Sequence, residues 1–563
     1  MPGDDIQNRP DLEDVRRRLL ASGSPFEVTE ESVLGETIPV YKTRPRSLRD
    51  LLEGSAGHGD KEYLVFSDGR RWSYRDHLAD VASVASALET RFDIGPGDSV
   101  AILAANAPEW ILGYWAITSL GAVVVAMNGW WAPDEIRAAL DLTKPKLILA
   151  DERRIERLNE TGTDLPIVSF ERDFESLRLH ATDASLPTAS SHPIAEDDPA
   201  LLLFTSGTTG RPKAALISHR TLIAFTMTSF FIGAMRGLTE DVGGRESGAI
   251  LAPFPLFHLS GTMGSVTAGL AGGVKTVWPM GRFDPAEIIR LSQEENVTNW
   301  SGATTHLFRL LNHPDIEKLD ADRFTNISAG GSASTPELLR AIADRFPHLE
   351  GNLGSGYGST ESGGLISYAS ASMLREAANC VGSPLPTVEV KIVDPEGVEL
   401  PEGENGRICA RSPLVMLGYL DNDEANAEAF LPGRWIDTGD VGHLEGGRLY
   451  LETRLRDMII RGGENIFPSE IENCIELHPD VAEIAVHGVD DSELGERVKA
   501  VVVPKPGTAP DADSIRAFAA DKLAYYKVPE IVEIRSQGLP RNATGKVMKH
   551  VLRGEATNTF VEE

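Results

Sequence analysis

The sequence predicts an α/β protein, with a large N-terminal domain of two α/β subdomains and a small β-barrel-like subdomain, followed by a small α+β C-terminal domain. Three observations predict it. Strand-like runs alternate with helical ones from about 60 to 190 and again from 200 to about 380; short strands between Pro/Gly turns fill 380–450; and a helix and strands of a separate pattern follow Arg456. At 563 residues the chain exceeds one ordinary core, given about 100 to 200 residues per domain, and its 41% hydrophobic and 25% charged content is that of a globular protein.

Residues 1–50 are polar and carry a short charged helix candidate at Asp11–Ala21, which reads as an N-terminal arm lying on the body. Next come strand-like Val100–Ala104, Val123–Ala126 and Leu147–Ala150, interleaved with helical Tyr74–Glu89 and Pro133–Leu142, the pattern of a parallel sheet covered on both faces. Trp110–Pro133 has no charge and is long enough to raise the question of a membrane span. Gly121 separates helix-like Trp110–Leu120 from β-branched Ala122–Ala126, and Asn128-Gly129 marks a turn, so the segment reads as a buried helix–strand unit. Residues 191–199 read as a linker. Val388–Val393, Arg407–Ala410 and Leu449–Leu451 are the short strands of the barrel-like unit. Beyond the turn at 461–465, Pro468-Ser469-Glu470 opens a helix, and Ile484–Val489 and Lys499–Val503 are strands. No repeat of 20 to 50 residues recurs.

The formal net charge of -30 argues against a nucleic-acid or anionic-membrane surface, which needs a basic patch to release counterions. Cys380, Cys409 and Cys474 lie far apart with no C-x-x-C spacing, so neither a disulfide framework nor a zinc site is indicated. The first thirty residues are charged and lack an apolar central run, and the expected location is cytoplasmic.

The most informative stretch is Phe204-Thr-Ser-Gly-Thr-Thr-Gly-Arg-Pro-Lys-Ala-Ala215. The run Leu201–Phe204 ends a buried strand, after which Thr205, Ser206, Thr208 and Thr209 offer donors. Gly207 and Gly210 let backbone amides approach an anion, and Lys213 supplies the charge. This is not the P-loop spacing G-x-x-x-x-G-K-[ST], which disfavours a generic nucleotide switch. A plain Ser/Thr/Gly surface turn between strand and helix is the bland alternative.

With this loop, Gly356-Tyr-Gly-Ser-Thr-Glu361, Trp435-Ile-Asp-Thr-Gly-Asp440 and Pro540-Arg-Asn-Ala-Thr-Gly-Lys546 in that order, the chain resembles the adenylate-forming superfamily, and within it the acyl-CoA synthetases, from about residue 50 onward. The resemblance implies an adenylation domain over 51–455 and a mobile C-terminal domain over 456–563. It also implies ATP, Mg2+ and CoA as cofactors. A carboxylate would be joined to AMP with release of pyrophosphate, and after rotation of the C-terminal domain the acyl group would pass to CoA. By resemblance Lys546 bridges carboxylate and phosphate oxygens, Glu361 holds Mg2+, and Tyr357 stacks on adenine within a segment that includes Gly358 and Thr360. Gly330-Gly331-Ser332 lies against the base, and Asp440 grips the ribose with Arg454, fourteen residues on, as second ligand. Arg456 competes with Arg454 but falls at the hinge by register. His258 stands at the gate beside the acyl carboxylate, and Gly463 at the pantetheine tunnel.

One residue departs from the pattern. Ala214 stands where Pro-Lys-Gly is usual, and a methyl at a backbone position chosen for close packing or positive φ costs on the order of 1–3 kcal/mol, which would slow adenylation selectively. Alternatives therefore stay open: an enzyme of the second step alone, dependent on an adenylating partner enzyme, or delivery to a carrier protein. A luciferase-type oxygenase and a non-catalytic binder are further alternatives. Gly302, Ala303, Gly330 and Gly331, with Thr304, Phe230, Phe231 and Trp300 as neighbours, suggest an apolar pocket for a fatty or bulky alicyclic or polycyclic acid. The sequence leaves monomer and homodimer both open.

Overall fold

The computed structural model describes residues 12–555 apart from 182–183, 189–190, 206–212, 240–247, 331–335, 350–352, 378, 462–463 and 543–544. Its first sheet has seven strands in the order Gly418–Tyr419, Lys213–Ser218, Pro199–Thr205, Val123–Ala126, Ser99–Leu103, Leu147–Ala150, Ile167–Ser169. From Pro199–Thr205 onward neighbours are parallel, whereas Lys213–Ser218 runs antiparallel to both strands it touches. Val123–Ala126 and Leu147–Ala150 are buried at every residue, as expected of parallel strands covered on both faces. The helix Pro108–Ser119 delivers the chain to Gly121 (φ 74) and then to Val123, so the uncharged segment is the helix–strand unit that Gly121 predicts.

A second sheet runs Asn326–Gly330, Val297–Ala303, Ala249–Leu251, Thr276–Trp278, Glu62–Phe66, Arg71–Ser73, parallel except for the last pair. Chain order therefore does not divide the sheets at 191–199: strands after that segment complete the first sheet, and strands near residue 65 belong to the second. Nor is 191–199 a free linker. The Glu196 side chain is 9% exposed and pairs with Arg44 and Arg220, each at 2.8 Å, while Arg49 donates to the His192 carbonyl at 2.6 Å. A carboxylate this far from water is tolerated only with such partners. Its partners are remote in sequence, which is why the stretch looks like a loop.

The arm is more structured than expected. After the helix Leu12–Leu19, strands Val28–Val33 and Glu36–Tyr41 form a hairpin closed by Leu34 (φ 51) and Gly35 (φ 92), the two positive φ angles of a type I′ turn. Leu34 occupies a position where Asn or Asp would have announced the turn. Val15, Phe26 and Tyr41 pack on Phe231 and Met235 of the helix His219–Thr239. This helix is long and apolar enough over His219–Leu238 to cross a membrane, yet Leu222, Ile223 and Phe225 lie in the main core and the arm covers its other end, as in the core helix of a globular domain.

The expected small antiparallel unit is present as an eight-stranded sheet: Ser355–Tyr357, Ser367–Ala369, Cys380–Pro384, Arg448–Arg454, Trp435–Glu445, Gly406–Arg411 and Glu389–Val393 in order, with Phe430–Leu431 beside Trp435–Glu445. The C-terminal domain has its own five-stranded sheet built around Val481–Asp491 and Gly495–Pro504, and its own core of Ile459, Ile466, Ile471, Val486, Val498 and Val502. The three cysteines are buried and unpaired.

Candidate active site

The phosphate-loop segment joins two antiparallel strands rather than a strand and a helix. Thr205, at the end of one strand, is the register partner of Lys213, which opens the next. Ser206, Gly207, Thr208 and Thr209 lie outside the described residues. Lys213 Nζ sits 5.2 Å from the centre of the Tyr419 ring, and the Tyr419 hydroxyl donates to Glu361 Oε1 at 2.8 Å. Burial, then the charge of Glu361, pushes the Tyr419 phenol up, so it stays a donor. The Glu361 backbone is held as well: its carbonyl accepts from Met416 N–H at 3.0 Å. Ala214 pairs regularly with Phe204, is 1% exposed in the core, and has no positive φ. The expected strain at Ala214 is thus absent, because the position is an ordinary strand residue whose methyl fills the core.

Tyr357 ends the strand Ser355–Tyr357, and its hydroxyl donates to Asp440 Oδ2 at 2.7 Å. Arg454 stands directly opposite Asp440 across the antiparallel pair, with Nε 3.6 Å from Oδ1. Burial raises the Asp440 carboxyl while Arg454 and Tyr357 oppose that shift. Gly358 follows Tyr357 because nothing larger fits: a Cβ there would lie 2.5 Å from the backbone of Gly364. Thr360 opens the turn that carries Glu361, its carbonyl accepting from Gly363 N–H at 3.1 Å.

Lys546 comes from the C-terminal domain. Its N–H donates to Asn542 Oδ1 at 2.9 Å, its carbonyl accepts from Asn542 N–H at 2.9 Å, and Gly545 takes φ 79 to close this turn. Lys546 is half-buried, its ammonium feels the charges of Arg454, Asp440 and Arg456, and desolvation, then Arg454, lowers its pKa from 10.5 to about 7. Arg456 lies in the single turn Leu455–Asp457 between the two domains, where Arg553 Nη1 reaches its carbonyl at 3.5 Å and Nη2 pairs with Asp457 at 3.3 Å.

His258 is half-buried, bonded through Nδ1 to Ser260 Oγ at 2.9 Å, and its apolar surroundings lower its pKa to about 4. It precedes a π-helix over Ser260–Ala268, a rare form frequent at functional sites, in which a Cβ on Gly261 would collide with the Pro255 carbonyl. The next residue, Leu259, packs with Phe225 against Gly364, where an added Cβ would meet Leu259 at 2.7 Å and Phe225 at 3.2 Å. The structure thus brings the His258 segment to the wall that carries Glu361. Two other apolar expectations fail. Phe231 packs edge-on against Phe26 of the arm at 5.6 Å, and Trp300 is 1% exposed between Phe324 and Phe346; both belong to cores. Gly330 ends its strand opposite Ala303. Gly331, Ser332 and Gly463 lie outside the described residues.

Among the described residues no group of three His, Cys, Asp or Glu side chains could hold a metal. A lone hard carboxylate such as Glu361 suits Mg2+, which keeps waters and shares its coordination with phosphates. Sequence reasoning missed Tyr419 and Phe225. Tyr419 sits in a two-residue strand with no periodicity to read, and Phe225 in a helix apolar all round.

An aromatic ring, a carboxylate and an arginine meet on one antiparallel sheet, in electrostatic reach of a lysine from the C-terminal domain, a set of groups with the chemistry to take a nucleotide. Residues 52–420 match the AMP-binding enzyme family and residues 470–546 the AMP-binding enzyme C-terminal domain. The chain belongs to this family, in the acyl-CoA ligase branch of the adenylate-forming superfamily. It is 30% identical over 530 residues to the mitochondrial medium-chain acyl-CoA ligase of Danio rerio, covering 88% of this chain and 85% of that one. It is 32% identical over 527 residues to indoleacetate–CoA ligase of Aromatoleum aromaticum, covering 92% and 99%. ATP-bound MatB of Rhodopseudomonas palustris superposes with a TM-score of 0.78 at 27% identity, covering 90% of this chain and 98% of that one.

Proposed function

We propose that the protein is an acyl-CoA synthetase that joins a hydrophobic carboxylic acid to AMP from Mg-ATP, releases pyrophosphate, and then passes the acyl group to the thiol of CoA with release of AMP. The observation that carries this reading is Lys546: a half-buried lysine on a separate domain, within electrostatic reach of the Asp440–Arg454 pair. Attack of a carboxylate oxygen on the α-phosphorus brings two anions together as the bond to pyrophosphate breaks, so the residues must neutralise and align charge. With its proton held weakly in the ligand-free site, Lys546 takes it up when polyphosphate and carboxylate arrive, and then bridges them. Tyr357 offers its ring to the base, Asp440 accepts from the ribose hydroxyls, and Arg454 opposes the burial that raises that carboxyl. Lys213 and Glu361 face the phosphates; Glu361 would hold Mg2+, which would supply charge neutralisation to them. Phe225 and Leu259, beside His258, favour an apolar acyl chain or ring. The medium-chain and indoleacetate specificities in the relatives' names support that class of acid.

For the second step the C-terminal domain, taken as 456–563, turns about Arg456 and brings Gly463 to the thiol path. The regular backbone at Ala214 favours the complete two-step enzyme over a thioesterification enzyme fed by a partner. The test is to measure the half-reactions separately with a panel of medium-chain, aromatic and polycyclic acids: acid-dependent exchange of pyrophosphate into ATP, and thioester formation from CoA and synthetic acyl-AMP. Both positive with an apolar acid is the expected result. Silence in exchange with every acid, or thioester formation only with a carrier protein, would overturn the proposal.

A further inference from the structure

Tyr419 makes three kinds of contact that converge on the phosphate side of the site. Its hydroxyl donates to Glu361 Oε1 at 2.8 Å, its ring faces Lys213 Nζ at 5.2 Å, and the Thr205 hydroxyl acts on the same phenol. The backbone beneath it is fixed more firmly than a two-residue edge strand requires. Gly418 and Tyr419 pair with Leu216 and Ala215, Leu420 N–H donates to the Ala214 carbonyl at 2.8 Å, and Leu417 N–H donates to the Leu216 carbonyl at 2.8 Å. The Asn426 side chain then closes a ring around the tyrosine, accepting from Tyr419 N–H at 2.7 Å and donating to its carbonyl at 2.9 Å. That ring needs Gly418 at φ 153, where a Cβ would already be 3.0 Å from Asn426 Oδ1. A side chain so anchored holds its neighbours in place.

We infer that Tyr419 is a positioning residue for adenylation: its hydroxyl fixes one oxygen of Glu361 so that the other is presented to the cation, and its ring holds Lys213 toward the phosphates. The inference rests on the reading of Glu361 as the Mg2+ ligand. An unheld carboxylate would turn among several rotamers or pair directly with a nearby lysine. The phenol prevents both, because it is neutral, donates one hydrogen bond, and offers the lysine a π face rather than a counter-ion. Outer partners of metal-ligating carboxylates typically contribute about 10- to 100-fold in metal affinity.

The experiment uses the full-length protein with Mn2+ as the probe, its binding followed by electron paramagnetic resonance in the presence of a non-hydrolysable ATP analogue. Tyr419→Phe keeps the ring over Lys213 and removes the hydroxyl, so Mn2+ binding should weaken by about 10-fold or more. The same variant should raise KM for Mg-ATP in pyrophosphate exchange more than it lowers kcat. Tyr419→Leu removes the ring too, and should also weaken binding of the metal-free ATP analogue, which Tyr419→Phe should leave within about twofold. Thermal unfolding of both variants should stay near that of the parent, which separates positioning from loss of fold. Parental Mn2+ affinity in Tyr419→Phe, or equal losses of nucleotide in the Phe and Leu variants, would overturn the inference. Glu361→Gln is measured alongside: if it binds Mn2+ as the parent does, the metal-ligand reading fails and the inference with it, whereas loss in Glu361→Gln without loss in Tyr419→Phe refutes the role of Tyr419 alone.

Discussion

On the proposed domain motion, raising the pH of the ligand-free enzyme should tighten docking of the C-terminal domain against Asp440 and Arg454. Lys546, ordinarily near 10.5, is lowered to about 7 in the docked pose, chiefly by burial and then by Arg454. A base whose pKa falls on docking is held neutral there, so the docked pose binds fewer protons than the open one. Docking therefore strengthens as pH rises through the window from 7 to 10.5; below it both poses are protonated, and above it both are neutral. Within the window each pH unit changes the docking equilibrium by up to about tenfold, so between about pH 7.5 and 9.5 the upper bound is about 100-fold, reduced by whatever water reaches the ammonium. A donor dye on the adenylation domain and an acceptor on the C-terminal domain would report the docked fraction by energy transfer. Lys546→Met should abolish the pH dependence, and saturating ATP should flatten it by restoring the proton. A docked fraction indifferent to pH, or a slope surviving in Lys546→Met, would refute the reasoning.

Other perturbations follow from the same geometry. Gly358→Ala places a methyl 2.5 Å from the Gly364 backbone, displacing the Tyr357–Glu361 segment by something on the order of 1 Å, and pyrophosphate exchange should fall about 100-fold. Asp440→Asn removes a charge-assisted acceptor, worth about 1.5–3 kcal/mol, and should raise the ATP dissociation constant about 10- to 100-fold in calorimetry. Phe225→Ala opens the wall beside Leu259 and Gly364 and should shift kcat/KM across an acid panel toward bulkier substrates, with little change in KM for ATP. Arg553→Ala frees the Arg456 carbonyl at the proposed hinge and should change overall turnover more than pyrophosphate exchange; equal changes in both would remove Arg553 from that proposed hinge.

The fold class was legible because its signals are local. Buried runs such as Val123–Ala126 and Leu147–Ala150, with Gly121 between helix and strand, need no partner to be read. The division into sheets was not, since pairing Thr276–Trp278 with Glu62–Phe66 depends on contacts more than 200 residues apart. The hairpin in the arm escaped because Leu34 stands at a positive-φ position that usually declares itself by Asn or Gly. At the candidate site, the motif residues gather in two groups, Lys213 and Glu361 around Tyr419, and Tyr357 and Arg454 around Asp440, with Lys546 in electrostatic reach of the second. Tyr419 was missed because its role comes from where an edge strand lands. Phe231 and Trp300 were misplaced because an apolar side chain does not say which core it fills, and the expected strain at Ala214 dissolved once its strand partner Phe204 was known.

The most direct test of the central claim is the pair of half-reactions in Lys546→Ala. Acid-dependent exchange of pyrophosphate should fall by about 100-fold or more, because the variant lacks the cation proposed to align carboxylate and α-phosphate. Thioester formation from supplied acyl-AMP and CoA should persist. Intact exchange, or equal loss of both half-reactions, would contradict the account.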